Sequence, residues 1–236
     1  MVRLPRRALP SLLALSVLVA AWAHAADLVD PSTGTRFGQR ATAGATEYEC
    51  LGAGVRKIFT FKVYAVTYCV DTERAEGLDE FAGQLHPNLE GEELAKALEK
   101  DGRFFEHLAS LPGDKLVVMH MVRNVGRDQL ADAFSKALKD VLPPDKVEKL
   151  VAAIPGDAHN GENALLYSDG SRLFIDIAGR QQTIDDLQIS RKLWTVWLGP
   201  DSVSPSLKSS LARNAASTRA VSAAQRSPRE SGGDAR

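Results

Sequence analysis

Residues 59–70, FTFKVYAVTYCV, are the stretch that most narrows what this chain can fold into. Phe59, Phe61, Val63, Ala65 and Thr67 alternate with Lys62, Tyr64, Val66, Tyr68 and Val70, so aromatic and β-branched side chains occupy both parities. A period of two with two apolar faces predicts a strand over 59–70 in the interior of a sheet. Just before it, Gly52 and Gly54 suit a bend, a bulge or a close approach of another backbone. Arg56 and Lys57 put two cations at the strand entry. Two readings of Arg56 stay open. It is a snorkelling surface cation, or it enters a pocket and holds an acidic or enolic oxygen.

Residues 1–25 read separately. Arg3, Arg6 and Arg7 precede an apolar run over 12–23 that ends in Ala23, His24 and Ala25. A basic start, a short apolar middle and small residues before a cut predict a secretory signal peptide cleaved after Ala25, hence a periplasmic or secreted protein. The run is too short to span a bilayer comfortably, and no transmembrane span is expected in the mature chain. The leader holds three of the 29 basic residues and none of the 30 acidic ones, so the mature chain is acidic and gives no basis for a nucleic-acid partner.

Cys50 and Cys69 are the two cysteines, one on either side of the basic turn, at the outer ends of what could be a hairpin. In an oxidising compartment they form a disulfide or remain as two buried thiols, and spacing does not choose. No CxxC pair or histidine cluster suggests a metal. Further along, 72–90 is polar and reads as a connection. Helices are predicted over 90–98, with a restart around Phe104, Phe105 and Leu108, and over 128–141 and 145–154. Strands are predicted over 115–122, 164–167 and 172–177, the last two joined around Asp169 and Gly170. Helices over 190–198 and from Pro205 to about Arg213 follow, with Ser204 as the cap of the second. From 214 to 236 the chain is Ala-, Ser-, Arg- and Gly-rich and is expected to be a disordered polar tail. The order predicts one α+β domain over 26–213, with helices grouped on a largely antiparallel sheet.

Four stretches, GAGVRKIFTFKVYAVTYCVD at 52–71, VRNVGRDQLADAFSKAL at 122–138, LYSDGSRLFIDIAG at 166–179 and LWTVWLGPDSVSPSLKSSLA at 193–212, together resemble the chalcone isomerase family, in particular its bacterial chalcone isomerase-like branch. The resemblance implies an open-faced β-sandwich in which a large antiparallel sheet carries a helical layer with an apolar cleft between them. It places the arginine of the plant isomerases at Arg56 and their strand threonine at Tyr64. Their tyrosine falls near Gly126, their helix asparagine near Ala133, and the hydroxyl of their terminal helix at Val196, with Thr195 beside it. An intramolecular lyase or isomerase acting on a chalcone-like or other enone substrate would rest on Arg56 and Tyr64. Ring closure through a developing charge needs placed donors, and losing several removes transition-state stabilisation.

Noncatalytic relatives of the family include fatty-acid-binding proteins. The leading expectation is therefore binding of a small amphipathic or aromatic molecule, such as a fatty acid, by Arg56, Phe59, Tyr64, Val118, Met119 and Thr195, without a cofactor. A haem-binding reading would use His107 or His120 as the axial donor. A structural or protein-interaction reading would use Trp194 and Trp197, three apart on one helix.

Overall fold

The organising stretch is a hairpin between Cys50 and Cys69, with its turn beyond the basic segment and not within it. The computed structural model describes residues 27–226, and the expected signal peptide lies outside the described residues. β4 (Thr46–Ile58) and β5 (Phe61–Asp71) pair antiparallel from Ile58↔Phe61 outward. The chain therefore reverses at Phe59 and Thr60, and the glycines at 52 and 54 lie inside a strand. A register shift between Cys50 and Gly52 leaves Leu51 as an extra residue on β4.

Around this hairpin the sheet has seven strands in sequence order, all neighbours antiparallel: β3 (Arg40–Ala43), β4, β5, β6 (Lys115–Met121), β7 (Asn163–Asp169), β8 (Arg172–Ile177) and β9 (Arg180–Asp185). β5 is interior, as its two apolar faces require. The β7–β8 turn falls on Gly170 and Ser171, one residue beyond the Asp-Gly pair that the sequence suggests, because Asp169 pairs with Arg172. A short ribbon of β1 (Leu28–Val29) and β2 (Arg36–Phe37) stands apart from this sheet in its pairing.

One face of the sheet carries the helices: α1 (Thr72–Ala75), α2 (Leu78–Leu85), α3 (Gly91–Lys100), α4 (Gly102–Ser110), α5 (Arg127–Leu138), α6 (Pro144–Ala152), α7 (Leu187–Lys192), α8 (Thr195–Leu198) and α9 (Pro205–Arg226). The polar connection expected over 72–90 thus contains α1 and α2. Leu78 and Ala82 of α2 supply its buried face. Tyr64, Val66, Tyr68 and Val70 of β5 pack with Val117, Met119 and Met121 of β6 and with Trp194 and Trp197 in one large core. The opposite face holds a smaller cluster of Tyr48, Cys50, Cys69, Leu116 and Tyr167. Cys50 and Cys69 face each other in the ladder and are joined by a disulfide.

The disordered tail expected from 214 is corrected over 214–226, where α9 continues. Its small residues are what the helix needs there. Ala212 and Ala216 are buried against the sheet, and Asn214 Nδ2 donates to the Leu51 carbonyl at 2.8 Å. β3 pairs with β4 only through Glu49, so the outer edge of β4 beyond that point has no strand partner. Helix α9 and the segment before it supply the missing hydrogen bonds. Ala53 N–H donates to Ser210 Oγ at 3.1 Å and Val55 N–H to Ser206 Oγ at 2.9 Å, while Ser204 Oγ donates to the Val55 carbonyl at 3.0 Å. Serine and asparagine at 206, 210 and 214 repeat every four residues and so form one stripe along the helix. The close approach requires glycine on the strand. A Cβ at Gly54 would sit 2.3 Å from the Leu207 nitrogen, and one at Gly52 would sit 2.9 Å from that of Leu211.

Gly54→Ala should accordingly lower stability by more than about 2 kcal/mol, because helix backbone has to move. Ser210→Ala should cost roughly 1–3 kcal/mol by leaving the Ala53 N–H without its acceptor. Urea unfolding midpoints at unchanged m-value check both, and midpoints equal to the parent's would contradict this account of the strand edge.

Candidate ligand site

Arg56 and Tyr64 are direct partners in the β4–β5 ladder. Their side chains lie on the helical side of the sheet, where Trp197 of α8 closes over them. Trp197 Nε1–H donates to Tyr64 Oη at 3.2 Å, and the Arg56 guanidinium is close enough to that oxygen to favour its ionised form. Burial is the larger effect and pushes the Tyr64 hydroxyl above the usual phenol value. A phenol held neutral, 4 % exposed and already accepting from an indole is poorly placed as a catalytic acid or base. Phe134 of α5 meets the Trp197 ring edge-on, with centroids 6.2 Å apart, and completes the apolar wall. Among the described residues no carboxylate is in ion-pair contact with Arg56, which is half-buried.

The other residues expected to border this place do not converge on it. Phe59 is at the hairpin turn and points to solvent. Val118 and Met119 are neighbours on β6 and therefore face opposite sides of the sheet. Met119 joins the main core and Val118 the smaller clusters on the other face. The other positions named by the resemblance carry no polar side chain here. Gly126 precedes α5, Ala133 lies within it, and Val196 is buried. Thr195 points elsewhere and donates to the Lys192 carbonyl at 2.7 Å. The expected ligand set is thus reduced at this place to Arg56 and Tyr64, and Tyr64 with Trp197 fills the space beside the arginine.

His107 and His120 are also kept apart. His107 of α4 stacks on Phe81 with ring centroids 3.8 Å apart, and burial lowers its pKa. His120 is on the other side of the sheet, 2.9 Å from Asn163 Oδ1, at a cavity of about 500 Å³ lined also by residues 33–37. Each imidazole has a protein partner, and the two lie on opposite sides of the sheet.

A larger opening lies at the far end of β5. A cavity of about 1010 Å³ is enclosed by the end of α4, the start of β6, the β7–β8 turn and α7–α8. Leu111, Leu187 and Leu198 give it apolar walls. Lys115, Arg191, Lys192 and Lys208 give it four cations against the single carboxylate of Glu106. Thr195 lines it as well. Lys115 opens β6 in phase with Val117, Met119 and Met121 and so points under the helices, where it is 5 % exposed. Its Nζ donates to the carbonyls of Leu111 and Gly113. Burial brings its pKa down to about 8. Asp114 opposes this shift, and the Arg191 charge adds to it. Lys208 Nζ lies 4.2 Å from the Phe105 ring centroid and donates to the Gly199 carbonyl. A buried ammonium satisfied by carbonyl oxygens, with another cation as neighbour, is a favourable place for an anion. A lysine at an inward-facing strand position was the sequence signal for this site. Its phase with the core residues of KLVVMHMV was legible, although the cations from α7 and α9 were not.

No protein-family model and no curated protein sequence matches the chain. Its structure resembles that of a fatty-acid binding protein from Arabidopsis thaliana, with a TM-score of 0.61 at 18% identity over 82% of this chain and 99% of that one. The fold is therefore the chalcone isomerase-like one, with a curled antiparallel sheet and a helical layer.

Two outcomes follow from the geometry. Tyr64→Phe should lower stability by about 1–3 kcal/mol, since the buried Trp197 N–H loses its acceptor; an unchanged melting temperature would show that the bond contributes nothing. The Lys115 pKa of about 8 is below the value of roughly 10.4 for a free lysine, so between these pH values the unfolded chain binds more protons and stability rises with pH. Lys115→Met should be more stable than the parent at pH 7, by up to about 3 kcal/mol, and the gap should shrink as pH climbs from 8 past 10. Paired urea titrations at the two ends of that range check this.

Proposed function

We propose that this chain is a noncatalytic binding protein for a small amphipathic carboxylate such as a fatty acid, exported to an oxidising compartment and related to the bacterial chalcone isomerase-like branch. The observation that carries the reading is the cavity at Lys115. Its volume, leucine walls and excess of cations suit a chain of methylenes ending in one carboxylate. Lys115 offers the ligand an ammonium whose burial makes a counter-charge favourable, and Arg191 offers a planar fork for the second carboxylate oxygen. The fatty-acid binding neighbour supports the same ligand class. Export is supported by the leader sequence and by the Cys50–Cys69 bridge.

Against turnover stand the missing donors. Gly126, Ala133 and Val196 cannot supply a hydroxyl or amide, and the Tyr64 hydroxyl is buried and engaged. A second reading keeps the ligand at Arg56, and it is favoured by the absence of a carboxylate partner for that cation among the described residues. Binding there would require the Tyr64 and Trp197 rings to move aside.

Native mass spectrometry, followed by denaturation and identification of the released molecule, tests the function and separates the two locations. A stoichiometric fatty acid retained in Arg56→Ala and lost in Lys115→Met is the expected result. Loss in Arg56→Ala alone moves the ligand to the second location. Failure of the parent to hold any fatty acid, whether co-purified or added, rejects the binding reading. Turnover of an enone abolished by Arg56→Ala establishes the isomerase instead.

A further inference from the structure

The tip of the β4–β5 hairpin is built against the ordinary rules for a solvent-exposed turn. Ile58, Phe59 and Phe61 are 47 %, 93 % and 58 % exposed, and they are three of the six large apolar side chains that are exposed among the described residues. They fall within four consecutive positions. Phe59 also has φ of 53°, in the left-handed region where glycine or asparagine is comfortable and a bulky side chain is an outlier. The fold thus places an aromatic ring where it gains neither burial nor an easy backbone. Contiguous exposed apolar groups of this kind mark an interaction surface.

The charges around the tip favour one kind of partner. Arg56 and Lys57 precede it and Lys62 follows it, and no acidic residue occurs between Glu49 and Asp71. Arg123, from the segment after β6, lies over the Phe61 ring with its Cζ 5.0 Å from the centroid. Lys62 Nζ donates to the Ser32 carbonyl, which draws that ammonium to the side of the hairpin. Cations therefore collar an apolar point. The shape is convex, a two-residue turn at the end of two long strands, and so it suits penetration into a soft surface better than lodging against a rigid protein groove. Aromatic and aliphatic groups entering the acyl boundary below a ring of Lys and Arg at the headgroups is the arrangement by which peripheral proteins bind anionic bilayers.

We propose that the hairpin tip, Ile58, Phe59 and Phe61 with the collar of Lys57, Lys62 and Arg123, docks this protein on an anionic lipid bilayer. The inference does not rest on the carboxylate reading. The tip and Lys115 lie at opposite ends of β5, about 30 Å apart at the rise of an extended strand. Docking leaves the Lys115 cavity on the side of the molecule away from the bilayer and brings Arg56 close to it.

Sedimentation of the full chain with vesicles tests this, using phosphatidylcholine alone and phosphatidylcholine with phosphatidylglycerol in equal parts. The leader is common to every chain compared, so differences report the tip. The parent should bind the anionic vesicles, and binding should weaken about tenfold in Phe59→Gly/Phe61→Ser and about tenfold in Lys57→Gln/Lys62→Gln. Phe59→Gly relieves the backbone and keeps the fold. The Phe59→Trp chain gives a local readout: the fluorescence it adds to the parent's should be quenched by brominated phosphatidylglycerol. Binding equal in parent and variants, equal on neutral and anionic vesicles, or without quenching at position 59 overturns the proposal. Loss of self-association in Phe59→Gly/Phe61→Ser without any vesicle binding overturns it as well and assigns the tip to a second copy of the chain.

Discussion

The contact between helix α9 and the free edge of β4 sets the arrangement of the rest. A strand as long as β4, paired on its outer side by only four residues of β3, would present unmet N–H and C=O groups from Leu51 onward. Ser204, Ser206, Ser210 and Asn214 meet them with side chains, and Gly52 and Gly54 let the helix come near enough to do so. The sheet edge is thereby sealed by a helix instead of another strand. Leu207 and Leu211 on the same helix enter the main core, so the sealing also packs the sheet against its helical layer.

This closure explains why the Arg56 region is filled in the structure. The chain between α8 and α9 is pinned by Ser202 to the Trp197 carbonyl and by Ser204 to that of Val55, which holds Trp197 over Tyr64. The Tyr64 ring then fills the volume beside Arg56, and its oxygen is taken up by the indole. The open volume is at the other end of β5, where α4, the β7–β8 turn and α7 surround a cavity with leucine walls and four cations, Lys115 among them. The filled volume beside Arg56 and the open one at Lys115 thus lie at opposite ends of one strand.

The hairpin connects the two ends. The Cys50–Cys69 bridge and the paired ladder fix β4 to β5 along their length, so Phe59 and its neighbours are carried on a rigid support. Polar and apolar groups are thus segregated along one pair of strands: a cation-collared apolar point at the turn, an engaged tyrosine next to it, and a cationic cavity at the far end.

Local pattern determined much of this protein. The two apolar parities of 59–70 gave an interior strand that begins two residues later, at Phe61, helical spacing gave α3, α5 and α6 close to their observed bounds, and the four ordered stretches pointed to the chalcone isomerase-like fold. The glycines were legible as sites of a bend, a bulge or a close approach, and the structure decides for close approach by α9. Three features depended on tertiary structure. The turn moved to Phe59 and Thr60 because pairing with β5 extends β4 through its glycines, which no short-range signal at an aromatic residue reveals. The small polar residues after 213 look like a tail until a strand edge needs hydroxyls and amides every fourth residue. The residues expected to share a ligand separated because adjacent positions of a strand face opposite sides, as Val118 and Met119 do, while Lys115, Arg191, Lys192 and Lys208, distant in sequence, were brought around one cavity. Sequence specifies the period of each element, and the pairing of elements specifies which side chains meet.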